Sequence, residues 1–341
     1  MSRIWMLPPG VEEALPPTAW QLETLRRRLL DHYRAQGYEL VLPPLIEHLD
    51  TLLTGAGADL DAQTFKLTDP ASGRLLGLRA DMTPQAARIA ARHYRDRPVV
   101  RLCYLGTVLR TQPDSLGGSR APRQAGCEIF GEPGFAAELE VLRLMLDTLR
   151  LAGLQEVHVD LGHVGIYRAL AARLNLDADD EAAVFDILQR KSQPDLRDFA
   201  AARRLTPEAA AELGALMELN GEVSVLERAK DMLDVRDPAI AAALAALARA
   251  AAELARIAPD LPLHVDLAEL RGYRYHTGLV FAAFAPGHGR ELARGGRYDG
   301  AGREFGGPRP AIGFSADLNV PPHHRGSGAR PGRRRNAPPG R

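Results

Sequence analysis

The stretch Arg271-Gly272-Tyr273-Arg274-Tyr275-His276-Thr277-Gly278, followed by Gly295-Gly296-Arg297-Tyr298-Asp299-Gly300, decides how this chain is read. It is built from arginines, ring hydroxyls, an imidazole and glycines, and it lacks the period of a core helix or strand. Segments with strand character surround it: Leu263–Leu267 before, Leu279–Phe284 and Glu291–Ala293 within, and Ala311–Phe314 after. On the residues alone, Arg271 is either a ligand-facing cation or a salt-bridge partner. Gly295, Gly296 and Gly300 either line a pocket or mark a tight turn.

Working outward, the first helix is set by Leu22, Leu25, Leu29 and Tyr33 at helical spacing, with Thr18 as its cap and Gly37 as its stop. Tyr38–Leu42 reads as a strand closed by Pro43-Pro44, and Thr64–Leu67 with Arg74–Leu78 as a hairpin around Asp69-Pro70-Ala71-Ser72-Gly73. A helix over Thr83–His93 precedes a long strand, Val99–Arg110, a Pro/Ser/Gly loop over 111–122, and a strand over Arg123–Phe130. A helix from Ala136 to Leu151 and a strand from Val157 to Leu161 follow. Residues 165–258 are alanine-rich and helical in pattern, and read as an insertion that interrupts the sheet. The order predicts an α+β fold with mostly antiparallel strands, not an alternating βαβ series. No internal repeat is visible.

Composition narrows the class. A hydrophobic fraction of 45% with 25% charged residues fits a soluble globular chain. The longest apolar run, Ala239–Ala258, carries Arg249, Glu253 and Arg256 and reads as an amphipathic helix, so no membrane segment is predicted. A signal peptide is not expected, because the opening apolar run stops at Pro8-Pro9. Cys103 and Cys127 have no metal-ligand spacing and read as buried thiols in a reducing cytoplasm.

The formal charge of zero hides an asymmetry: 321–341 holds six Arg and no acid, and without it 1–320 carries a net of −6. An acidic balance argues against a chain that grips tRNA phosphates. Residues 321–341 lack apolar periodicity and are predicted disordered. Only Lys66, Lys191 and Lys230 are lysines, which suggests GC-rich coding DNA. The tail then reads as a frameshifted or truncated end beginning near 319, the alternative being a natural basic tail for nucleic acid. The expected organisation is a core over 1–320, broken by the helical insertion, and this tail.

Several enzyme motifs fail. There is no phosphate loop, Gly55-Ala56-Gly57 lacks the third glycine of a dinucleotide fingerprint, and Gly313-Phe314-Ser315-Ala316 meets Asp317 where a nucleophile elbow needs glycine. No zinc motif is present in the sequence, and no metal or other cofactor is expected.

Four segments in register resemble the catalytic domain of class II histidyl-tRNA synthetases. The opening helix with Gly37-Tyr38-Glu39-Leu40 and Pro43-Pro44 resembles the dimer-forming first motif of that class. Leu78-Arg79-Ala80-Asp81-Met82-Thr83 stands where the family has Arg-Pro-Glu-Gly-Thr. Arg110, the 111–122 loop and Gln124-Ala125-Gly126-Cys127-Glu128 resemble the second motif. The stretch quoted first resembles the family's histidine-specific segments. The resemblance implies a class II synthetase-like antiparallel sheet flanked by helices, with the alanine-rich helical insertion.

Free histidine is a zwitterion bearing an imidazole, so its pocket needs an anion for the ammonium and partners for both ring nitrogens. By resemblance, Asp81, Met82, Thr83 and Gln124 surround the α-amino group, and Glu128 bonds the imidazole with help from His276. Tyr275 and Tyr298 wall the pocket, while Arg110 and Arg271 face the carboxylate. Read alone, Asp81 could simply cap the helix at Thr83, and Arg110 could be a structural ion-pair partner. Activation of an amino acid with ATP needs fixed cations and acids, and here the family pattern is broken. Arg110-Thr111-Gln112 loses the acid of Arg-x-Glu, Arg274-Tyr275-His276 replaces Asp-Tyr-Tyr, and Val320 stands at the third-motif arginine.

Arg79-Ala80-Asp81-Met82-Thr83-Pro84-Gln85 together with Arg271-Gly272…Tyr275-His276-Thr277-Gly278 resembles one branch, the regulatory subunits of ATP phosphoribosyltransferase. That resemblance implies a non-catalytic, cytoplasmic subunit for the first step of histidine biosynthesis and for histidine feedback. It would form self-dimers within a hetero-octamer with the short-form catalytic subunit, with L-histidine as ligand and no tRNA. The alternatives are a histidyl-tRNA synthetase fragment and a stand-alone histidine-binding module.

Overall fold

The computed structural model describes residues 6–54, 58–113, 118–270, 272, 275–300, 302–303 and 307–318. Arg271, Arg274, Val320, Gly55-Ala56-Gly57 and the 321–341 tail lie outside the described residues. Along the chain come α1 (Thr18–Ala35), β1 (Glu39–Leu40), β2 (Ile46–His48), α2 (Leu49–Leu53), α3 (Ala58–Gln63), β3 (Lys66–Thr68) and β4 (Leu75–Leu78). Then follow α4 (Thr83–His93), β5 (Val100–Thr107), β6 (Arg123–Phe130), α5 (Phe135–Leu151) and β7 (His158–His163). The helical stretch holds α6 (Val164–Arg173), α7 (Ala178–Gln189), α8 (Gln193–Arg203), α9 (Pro207–Glu218), β8 (Asn220–Gly221), α10 (Val225–Met232) and α11 (Pro238–Ile257). The chain closes with β9 (Leu263–Asp266), β10 (Leu279–Phe284), β11 (Ala293–Arg297) and β12 (Ala311–Asp317).

Among the described residues nine strands form one sheet in the order β1-β5-β6-β12-β11-β10-β7-β9-β8, and β2-β4-β3 form a small second sheet. Every pairing is antiparallel except β1 with β5 and β7 with β9. Parallel neighbours cannot be joined by a tight turn and need a long crossover. The helices from α6 to α11 supply it between β7 and β9. Their buried side chains, among them Val184, Leu213 and Leu247, belong to the same apolar cluster as the sheet's underside.

Side-chain alternation gives the central strands two different faces. On β6, Ala125, Cys127 and Ile129 enter the large core beneath α1 and α5, while Gln124, Gly126, Glu128 and Phe130 face the side covered by α4. On β12, Ile312, Phe314 and Ala316 point to the large core, leaving Gly313, Ser315 and Asp317 with Glu128. Cys103 and Cys127 sit directly across from each other on β5 and β6 as free buried thiols. Burial pushes the Cys103 thiol up to about 12.

α11 has the length and mean hydropathy, 1.5, of a membrane span. It instead buries Ile240, Ala243, Leu244, Leu247, Ala250, Ala251 and Leu254 and packs on α6 and β7. Its start is fixed by Asp237, whose side chain accepts from Ala239 N at 2.8 Å, with Pro238 next in line.

Four sequence expectations change. Thr18 is the first helical residue and makes no capping bond, because Pro17 holds the cap position. Ile46–His48 is an extra strand that a three-residue run could not announce. The 99–110 strand stops at Thr107, where the backbone turns to meet Arg79 and the 118–122 segment. The strand expected at Glu291–Ala293 instead runs Ala293–Arg297, so Gly295 and Gly296 are strand residues and not a turn. Close packing explains the glycines: a Cβ on Gly295 would lie 2.2 Å from Gly313 O, and one on Gly296 2.6 Å from Leu279 O.

Candidate functional site

The site is built on the α4-covered face of β5, β6, β12 and β11. Glu128 is its centre, buried to 1% exposure. Glu128 Oε1 accepts from the Tyr104 hydroxyl at 2.9 Å and the Thr83 hydroxyl at 3.0 Å, and Oε2 accepts from the Tyr298 hydroxyl at 2.5 Å. A buried carboxylate without donors would be costly, and three hydroxyls offset that cost. Burial still dominates, pushing the Glu128 carboxyl up to about 8 against the opposing pull of those hydrogen bonds. Burial first, and then the neighbouring Glu128 charge, push the phenols of Tyr104, Tyr275 and Tyr298 well above their ordinary range. They remain donors at any physiological pH.

The floor is glycine. Across the sheet, Glu128 is in register with Gly313, and Gly313 with Gly296, while Tyr104 is opposite Gly126. A Cβ on Gly313 would fall 1.6 Å from Glu128 Oε2, and one on Gly126 2.4 Å from the Tyr104 ring. The carboxylate and the phenol thus lie flat across strands where no side chain intrudes. The His276 ring occupies the third such place: a Cβ on Gly296 would lie 2.9 Å from it.

Beside Glu128 is a second polar group. Asp81 Oδ1 accepts from Thr83 N at 2.8 Å and from Gln124 Nε2 at 3.0 Å, and Gln124 Oε1 accepts from Met82 N at 2.9 Å. Asp81 therefore bonds the first turn of α4 and also orients Gln124. Met82 contributes its backbone, since its side chain is core.

Tyr275 stacks on Tyr298 with centroids 4.8 Å apart and an interplanar angle of 23°, and meets His276 edge-on at 5.7 Å. The Tyr275 hydroxyl is buried and has no hydrogen-bond partner of sound geometry among the described residues. It neighbours the Tyr298 hydroxyl, whose own proton goes to Glu128. Below the site, Arg297 Nε donates to Glu138 at 2.7 Å and Nη1 to Asp299 at 3.2 Å, while Arg297 O accepts from Thr277 N at 2.7 Å. This buried ion cluster fixes the strand that carries Gly296 and Tyr298.

Thr83, Gln124, Glu128, Tyr275, His276 and Tyr298 are thus brought together with Asp81 and the backbone of Met82. Arg110 stands apart. It donates to Ala80 O at 3.3 Å and lines a neighbouring cleft with Gln124, Arg290, Arg294, Ser315 and Asp317. Arg271 lies outside the described residues. Tyr104 and the floor glycines Gly126 and Gly313 are not singled out for the pocket by the sequence reading, whereas Gly296 is among its candidates. Nothing in the chain separates Tyr104 from the core residues Leu102 and Val100 that share its face, and the floor exists only in cross-strand register.

Sheet order, the α4-capped carboxylate and the histidine-segment rings together define a class II synthetase-type core of the histidyl-tRNA synthetase kind. The histidyl-tRNA synthetase family model matches residues 10–320. A structure from Bacillus halodurans, described as an ATP phosphoribosyltransferase regulatory subunit/histidyl-tRNA synthetase, superposes with a TM-score of 0.81 at 28% identity, covering 93% of this chain and 82% of that one. An ATP phosphoribosyl transferase complex from Thermotoga maritima contains a chain of the same fold, with a TM-score of 0.66 at 19% identity over 90% of this chain and 98% of that one. The ATP phosphoribosyltransferase regulatory subunit of Thioalkalivibrio sulfidiphilus is 56% identical over 320 residues, 94% of this chain and 81% of the relative. The chain belongs to the family of ATP phosphoribosyltransferase regulatory subunits.

Proposed function

We propose that the chain senses L-histidine in the Glu128 pocket and relays its occupancy to a short-form ATP phosphoribosyltransferase catalytic subunit, doing no chemistry itself. The observation that carries this reading is the buried Tyr275 hydroxyl beside Glu128 and Asp81, which lies against the Tyr298 hydroxyl without a well-formed hydrogen bond among the described residues. A ligand with a polar ring would complete it, and imidazole offers a donor and an acceptor on opposite edges. The ammonium would go to Asp81, Thr83 and Gln124, and the ring to Glu128 and His276. By the family resemblance the carboxylate would face Arg271 and reach past Gln124 towards Arg110 in the adjoining cleft. Loss of catalysis is supported by Gln112 in the place of an acid. The partner is proposed from the relatives' names, and by the family resemblance the subunit would work in the cytoplasm, in a hetero-octamer and without tRNA.

Self-dimerisation is part of the same proposal. Trp20, Leu40, Leu42, Leu45 and Ile46 are large apolar side chains left exposed on α1, the edge strand β1, the segment after it and the start of β2. Such a surface beside an open strand edge fits burial against a second copy.

The test pairs the purified chain with a short-form catalytic subunit. The expected result is stimulation of phosphoribosyl transfer that histidine reverses, with no histidine-dependent ATP–pyrophosphate exchange by the chain alone. Robust exchange would mean a synthetase. Histidine binding with no effect on the catalytic subunit would mean a stand-alone module.

A further inference from the structure

The segment that carries Tyr275 and His276 is held from outside the pocket. Val164 N, the first residue of α6, donates to Gly278 O at 3.1 Å, and Arg168 Nη2, one turn further on, donates to His276 O at 2.8 Å. The turn entering α6 is itself fixed, because His163 Nδ1 accepts from Gly165 N at 3.1 Å. Inside, the same segment is tied by Thr277 N to Arg297 O and by Thr277 Oγ1, which accepts from Asp299 N at 2.9 Å. The two rings therefore sit between a rigid strand and the first helix of the long crossover. Arg168 is exposed, and the bond it gives this segment goes to a backbone carbonyl.

We infer that Arg168 is a positioning residue: its guanidinium holds the His276 carbonyl, and through it the Tyr275 and His276 rings, so that pocket occupancy is felt by α6 and the helical crossover. The inference rests on reading the pocket as a histidine site. The physical reason is that Glu128 is sealed by Tyr298, Tyr275 and their neighbours, so a ligand bonding Glu128 must shift this segment. The His276 carbonyl then moves relative to Arg168, and the coupling is reciprocal: what α6 favours, the pocket favours.

Hydrogen exchange and calorimetry on the full chain test it, using Arg168→Met, which keeps the stem without the guanidinium, and Arg168→Lys. Without histidine, Arg168→Met should raise exchange at the 275–277 amides by about 3- to 10-fold, the scale of one lost cation–carbonyl bond, while the melting temperature stays put. With histidine, wild type should gain protection in α6 as well as in 275–278. Arg168→Met should lose the α6 protection and bind histidine more weakly, and Arg168→Lys should fall between. Unchanged exchange at 275–277 in Arg168→Met overturns the positioning role whether or not histidine binds. A wild type that does not bind histidine overturns the pocket reading, and the ligand-free exchange still decides the role of Arg168.

Discussion

Glu128 carries two consequences at the scale of one residue. On the proposed reading the ligand's ring draws Glu128 into its ionised form and donates to it, so Glu128→Gln should weaken histidine binding roughly 10- to 100-fold, the range of a lost charged hydrogen bond. Isothermal titration checks this, and equal affinity in the variant removes Glu128 from the site. The second consequence concerns pH. The carboxyl has an ordinary value of 4.5 and is raised to about 8 in the folded chain by burial. Between those values the folded state binds more protons than the unfolded one, so stability falls as pH rises and levels off above 8. His163 works the other way: burial, helped by the Arg297 charge, lowers it from 6.5 to about 4, so its contribution is lost as pH falls from 6.5 towards 4. Between pH 6.5 and 8 the Glu128 slope is free of His163, at most about 1.4 kcal/mol per pH unit. Urea midpoints of ligand-free protein should fall across that window in wild type and stay flatter in Glu128→Gln. Parallel curves would show that Glu128 does not titrate there.

At the scale of the element, the strands decide the pocket by register. Gly313→Ala would set a methyl 1.6 Å from Glu128 Oε2 in the middle of a nine-stranded sheet. Neither neighbour can give way, so a loss of about 3 kcal/mol is expected. Gly300 is the control: a Cβ there meets nothing within 4 Å, and Gly300→Ala should leave the urea midpoint almost unchanged. Equal effects at the two sites would refute the floor. Much at this scale was legible beforehand. The helix at Thr83–His93 and the strands at Arg123–Phe130 and Leu279–Phe284 fall where the local period put them, because period is a property of neighbours along the chain. Gly295 and Gly296 were harder, since an isolated glycine pair signals a turn as readily as a place where backbones and rings approach. Only Gly313 O and Leu279 O, contributed by other strands, tell the two apart.

At the scale of the whole molecule, the exposed apolar edge is the clearest unsatisfied feature. Leu42 is 73% exposed and Trp20 69%, beside an edge strand paired on one side only. If this surface is the dimer contact, Leu42→Asp should convert a dimer to a monomer in sedimentation at micromolar concentration, with little change in helix content. A wild type that is already monomeric under those conditions would sink the proposal.

The sequence by itself determined the residue chemistry, the order of the longer elements and the family, but not the short strand Ile46–His48 or the bounds of the strand Ala293–Arg297. Seven of the ten expected site side chains, together with the Met82 backbone, gather around one buried carboxylate. The tertiary structure decided what local pattern cannot: which strands are neighbours, that Tyr104 shares Glu128, that glycines form the floor, and that Arg168 reaches the pocket segment from outside. Glu128 and Tyr298 are 170 positions apart and Arg168 and His276 108 apart. The local rules of side-chain direction act over a few residues, whereas such pairs are made by strand order and by the long crossover that parallel β7 and β9 require.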